Sequence, residues 1–175
     1  MIEGSKIRLR PWCENDFAAL TALRNDVATQ AQLLARARGS DPMQVRDWLH
    51  ARTASADRIF FVIADCETDR CLGFLQVADF DTVDRRAEFG ICLAPTTRGQ
   101  GKGGEALTLA MQHLVQLWKL RKLTLRVRAD NLSAQNCYRK LGFRECGRLE
   151  AHVFLEGRWQ DVVIMELLIE PGKPT

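Results

Sequence analysis

Residues 90–104 read GICLAPTTRGQGKGG, an apolar run stopped by Pro95, then four glycines and two cations, and directly behind them comes EALTLAMQHLVQL (105–117). The order is strand, glycine turn, amphipathic helix, with Leu107, Ala110, Met111, Leu114 and Trp118 expected on one helical face. The first amides of a helix have no intrahelical acceptor and the aligned peptide dipoles favour an anion there, so the turn reads as a phosphate cradle. Three motifs compete for it. A Walker loop needs Lys-Ser/Thr after its last glycine, and Glu105-Ala106 stand there instead. The dinucleotide pattern matches at Gly99, Gly101 and Gly104, but it wants an acidic residue about 20 positions on, and RKLTLRVR (121–128) supplies none. The third, R-x-x-G-x-G, is filled by Arg98, Gly101 and Gly103.

Outward from this centre, KIRLR (6–10) alternates like a half-buried strand, and ENDFAALTALRND (14–26) follows with Phe17, Leu20 and Leu23 at helical spacing. Asp41 and Pro42 open a second helix as cap and first residue. RIFFVIADC (58–66) and CLGFLQVADF (71–80) form a hairpin, and RAEFGICLAP (86–95) is the strand that enters the glycine turn. After the long helix come a strand, KLTLRVRA (122–129), and a short helix, SAQNCYRKL (133–141), ended by Gly142. HVFLEGRWQDVVIMELL (152–168) is a pair of strands turning at Glu156-Gly157. The pattern is α+β: one mixed, mostly antiparallel sheet, residues 1–170 as one domain and 171–175 as a frayed tail.

Composition narrows the function classes. A chain of 175 residues with 46% apolar and 27% charged residues is an ordinary globular domain. No apolar run approaches the roughly 20 residues that span a bilayer, and MIEGSKIRLRP (1–11) lacks a leader's apolar stretch, so a cytoplasmic protein without membrane contact is expected. The six cysteines form no C-x-x-C pair and the three histidines are scattered, so no metal site is expected. The net charge of +3 is mild, and Arg126 and Arg128 alternate with Leu125 and Val127 as the wet face of a strand. Nucleic acid is therefore not expected as a partner.

From Arg85 to Leu168 the chain resembles the GCN5-related N-acetyltransferases in RRAEFGICLAPTTRGQGKG, LRVRADNLSAQNCYRKLGF and GRLEAHVFLEGRWQDVVIMELL. The similarity is to the bacterial branch with ribosomal-protein, spermidine and sugar-nucleotide members. It implies that family's fold, a central sheet with helices on both faces, and transfer of an acetyl group from acetyl-CoA to a primary amine by direct attack. It implies that Ile91, Cys92 and Leu93 pair with pantetheine through their main chain. Pyrophosphate is then expected on Arg98, Gly99, Gln100, Gly101, Lys102 and Gly103, with Asn131 and Asn136 also at cofactor positions. Tyr138, the only tyrosine, stands where the family protonates the leaving sulfur, and Glu88 is the candidate base.

The acceptor is expected to be a small amine. Arg36 and Arg38 stand where spermidine enzymes are acidic, which favours an amino-sugar nucleotide over a polyamine or a ribosomal-protein N-terminus. A coenzyme A-binding module without catalysis is the alternative of another class. The last hairpin and the long helices offer a face for a homodimer.

Overall fold

In the computed structural model, residues 1–169 are described; the tail expected at 171–175, and residue 170, lie outside them. The chain runs β1 (Ile2–Glu3), β2 (Ile7–Arg10), α1 (Phe17–Asn25), α2 (Val27–Gln32), α3 (Pro42–Thr53), β3 (Ile59–Asp65), β4 (Cys71–Asp81) and β5 (Arg86–Leu93). It continues through α4 (Lys102–Trp118), β6 (Lys122–Arg128), α5 (Leu132–Lys140), β7 (Arg144–Leu155) and β8 (Arg158–Leu168). The eight strands form one sheet in the order β1-β2-β3-β4-β5-β6-β8-β7. Every neighbouring pair is antiparallel except β5 and β6, which α4 connects as a crossover.

Period-two alternation sorts the side chains between two cores. Leu75 and Val77 of β4, Phe89 of β5 and Leu125 of β6 pack under Leu107, Ala110, Met111 and Leu114 of α4. On the opposite face, Phe60 of β3, Phe74 of β4 and Cys92 of β5 meet Leu20 and Leu23 of α1 and Val45 and Leu49 of α3. Helices therefore cover both faces, as expected. Asp41 caps α3 by accepting from the Gln44 amide at 2.8 Å.

Two expected placements are corrected. Trp118 is not core: in the last turn of α4 it is 47% exposed and covers only the edge of Phe80 on β4. Arg128 is not on the wet face: it is 3% exposed, and its guanidinium bonds Asp130 and Glu156 at 2.7 Å each. Two carboxylates from separate turns make that burial tolerable. The short α2 and the two-residue β1 had no distinct sequence signal.

A second buried ion pair anchors the N-terminal half. Arg10 meets Asp16 twice, at 2.7 and 3.0 Å, and the Cys13 amide donates to the same carboxylate at 2.8 Å. Burial alone would raise the Asp16 pKa, but these bonds outweigh it and hold the carboxyl below its ordinary value. A depressed carboxyl stabilises the fold above its unfolded pKa of ~3.9 and loses that contribution as pH falls through the folded value. Asp16→Asn is expected to cost about 3 kcal/mol in urea unfolding at pH 7. The gap between variant and wild type should narrow at pH 3.

Candidate active site

The parallel pairing of β5 and β6 lasts only three residues, Arg86 with Lys122, Ala87 with Leu123 and Glu88 with Thr124. Beyond Glu88 the strands part, although β5 stays bonded to β4 as far as Leu93 and β6 to β8 as far as Arg128. The Ala94 amide donates to Leu72 O on the β4 side, so alternation directs the main-chain groups of Ile91 and Leu93 to the open edge. A cleft of about 1270 Å³ occupies this fork, walled by Ile91, Cys92 and Leu93 on one side and Asn131, Asn136 and Tyr138 on the other. Unpaired strand edges facing a groove are ready partners for an extended amide-bearing ligand.

The glycine turn closes one end of the fork. Gly99 (φ 76°) and Gly101 (φ 79°) hold left-handed backbone that a side chain would strain. Gly101 is the N-cap of α4 and no side chain caps the helix, which leaves its first amides available to an anion. Arg98 donates from Nε to Leu93 O and from a terminal nitrogen to Thr29 Oγ1, both at 3.0 Å, so it ties the turn to β5 and α2.

Two of the expected cofactor residues are placed otherwise. The Lys102 ammonium does not reach the cleft; it bonds Asp65 at 3.1 Å on the far side of the turn. Lys102 foremost, then the Thr68 amide, holds the Asp65 carboxyl down at about 2. Gln100 also lies off the cleft, its side-chain amide donating to Thr96 O. Both residues can still offer main-chain groups.

On the opposite wall, Asn131 caps α5, its side chain accepting from the Ala134 amide at 3.1 Å, and Asn136 accepts from Arg139. Both line the cleft. Tyr138 is buried against Phe143 and its phenol is pushed up to about 12, by burial first and the neighbouring Cys137 second. Such a group stays protonated at neutral pH and can donate but not act as a base.

Glu88 faces the other side of the sheet, as its alternation with the core residue Phe89 requires. Both of its oxygens are engaged by Arg126, at 3.1 and 3.2 Å, directly across the base of the fork. The carboxylate in turn raises the Arg126 pKa and keeps it charged. Gln32, Gln76 and His152 complete this mouth, and none was singled out in the sequence. Arg36 bonds the main-chain oxygen of Phe154 at 3.0 Å and so docks the segment after α2 on the last hairpin.

A forked sheet whose fork opens on a glycine-rich helix start defines a class. Residues 6–144 match the acetyltransferase (GNAT) domain, and the chain belongs to that family. A spermidine N(1)-acetyltransferase of Vibrio cholerae is 32% identical over 108 residues, 62% of this chain. The match spans 62% of that relative's length, less than two thirds of it. A ribosomal-protein-serine acetyltransferase of Escherichia coli K12 is 26% identical over 102 residues, 58% of this chain and 57% of the relative. The crystal structure of spermidine N-acetyltransferase from Vibrio cholerae with CoA and spermine superposes with a TM-score of 0.87 at 24% identity, covering 94% of this chain and 96% of that one. This likeness establishes the fold.

The different placements of Arg98 and Lys102 can be separated by calorimetry with coenzyme A. Arg98→Ala is expected to weaken binding about tenfold, as the loss of one charge-assisted contact would. Lys102→Met should leave affinity within a factor of two or so and instead lower stability at neutral pH, a deficit that shrinks as pH falls towards about 2. Asp65 stabilises above its unfolded pKa, and in the wild type that contribution is lost only as pH falls towards about 2.

Proposed function

We propose that the chain is an acetyl-CoA-dependent N-acetyltransferase acting on the primary amine of a small molecule. The observation that carries the reading is the fork between β5 and β6, which sets an unpaired strand edge between a glycine anion cradle and a protonated buried phenol. Acetyl-CoA supplies an activated thioester. The amides from Gly99 to Gly103 and the Arg98 guanidinium suit its pyrophosphate, and the main-chain groups of Ile91 with the Leu93 amide suit its amide-bearing arm. An N–H on that edge can also take the negative charge that develops on a carbonyl oxygen.

Tyr138 holds the proton that a departing thiolate needs, and burial keeps it on the phenol until then. Glu88 receives the amine proton through a water, held in position by Arg126. An aliphatic amine with a pKa near 10 must lose that proton before its lone pair can attack.

Among acceptors, the named relatives support a polyamine better than the amino-sugar nucleotide suggested by Arg36 and Arg38. One observation favours the second class: both carboxylates on the cleft wall, Glu88 and Asp130, are already matched by Arg126 and Arg128. A homodimer belongs to the reading through the exposed Phe154–Trp159 pair on the last hairpin.

Free-thiol release is expected from acetyl-CoA with at least one amine in a panel of spermidine, amino-sugar nucleotides and N-terminal peptides. Coenzyme A binding with no release from any amine would leave a non-catalytic module. Tyr138→Phe should lower kcat by about 10²–10⁴-fold with little change in coenzyme A affinity. Unchanged turnover would remove the proton-donor role. Glu88→Gln should shift the pH–rate profile, and an unshifted profile would make Glu88 structural.

A further inference from the structure

The face of the sheet that carries Glu88 and Gln76 is overlaid by an arginine group with no carboxylate to match it. Arg24 of α1 lies over the Trp48 ring of α3, with Cζ 4.9 Å from the ring centroid. Its Nε is buried and has no hydrogen-bond partner among the described residues. Arg52 of α3 is half-buried, and its guanidinium donates at 2.8 Å only to the neutral amide oxygen of Gln76. Arg38, in the segment after α2, is exposed and close enough to repel Arg24. Among the described residues, Arg24, Arg38 and Arg52 make no ion pair.

This concentration of like charge is costly. Burial first, and then repulsion by Arg38 on Arg24 and by Arg58 and Arg24 on Arg52, holds both below the ordinary arginine pKa. Desolvated guanidinium groups normally sit beside a carboxylate or phosphate, since an unpaired buried charge is among the most destabilising features a fold can contain. Two half-buried guanidinium groups from two helices lie on this face with exposed Arg38 near Arg24, and Arg52 bonds Gln76, which itself lines the acceptor mouth of the cleft. Gln76 is also fixed in place: it pairs with Gly90, where an added Cβ would come within 2.9 Å of its Nε2.

We infer that Arg24, Arg38 and Arg52 form a binding site for a carboxylate or phosphate group at the acceptor end of the cleft. The forked guanidinium of Arg52 reaches the cleft wall through Gln76, Arg24 lies over the Trp48 ring, and exposed Arg38 is near enough to Arg24 to add its charge. The anion belongs either to the acceptor, as a second functional group beside its amine, or to a free anion that binds next to a plain amine. The first case rests on the acetyltransferase reading above; the anion site itself does not.

The test uses the full chain saturated with coenzyme A, so that the glycine cradle is filled. Inorganic phosphate titrated by calorimetry should bind the wild type, and Arg38→Gln and Arg52→Gln should each weaken it about tenfold. Arg52→Lys, which keeps the charge, should recover part of the loss and separates lost charge from lost packing. Absence of phosphate binding to the wild type, or wild-type affinity in both Gln variants, would overturn the site.

The source of the anion is read from a matched pair of amines, lysine and cadaverine, which differ by one carboxylate. If the group is the acceptor's own, the ratio of kcat/KM for lysine over cadaverine falls in Arg52→Gln and phosphate competes with lysine. If it is a free anion, phosphate changes the turnover of cadaverine and does not compete with lysine. Should no amine release thiol, the acetyltransferase reading fails while the phosphate titration still decides the site.

Discussion

Everything at the candidate site depends on β5 and β6 staying bonded for three residues and no more. Parallel strands twist relative to each other, and here neither strand is short of a partner on its outer side. β4 holds β5 to its end and β8 holds β6 to its end, so the inner edges can part without loosening the sheet. The pair Glu88–Arg126 lies across the point of divergence and joins the two strands there on one face. On the other face Leu107 and Met111 of α4 share one core with Phe89 of β5 and Leu125 of β6.

Second in rank are the contacts that fix what borders this gap. Gln135 of α5 is 3% exposed and donates to the main-chain oxygens of Arg128 and Ala129, which pins the helix carrying Tyr138 to the end of β6. Arg128 collects Asp130 and Glu156 and thereby joins that end to the turn of the last hairpin. Arg98 performs the matching task on the β5 side. Each tie is a charged or amide group satisfied by main chain, hydroxyl or carboxylate, and each would be expensive to leave half-made.

Local signals carried most of the architecture. The strand, glycine turn and helix from Gly90 to Trp118 are specified by residues adjacent in sequence, as is the Asp41-Pro42 cap, and all were readable. Tyr138 was readable because it is unique in the chain and sits in a distinctive segment. What could not be read depends on register between distant strands. Arg126 meets Glu88, 38 residues away, only because Thr124 pairs with Glu88. Lys102 faces Asp65 rather than the cradle because the end of β3 lies beside the start of α4. Arg128 looked solvent-facing because alternation describes one strand and is silent about the two acids that converge on it. Uncompensated charge, as at Arg24 and Arg52, is likewise visible only once the neighbours are in place.

Along β5 the two kinds of work are separated by atom type. Ile91 and Leu93 present backbone to the open edge, whereas Glu88 and Gly90 present side-chain positions to the face under α1 and α3. Mutation replaces side chains and leaves main-chain amides where they were. If the strand holds a donor as proposed, acceptor preference can therefore drift through the helices and alternate strand positions of that face while the main-chain grip on that donor is kept. On the proposed acetyltransferase reading, a lineage built on such a strand can exchange one amine for another by substitutions at the mouth without rebuilding the half of the site that would handle the thioester.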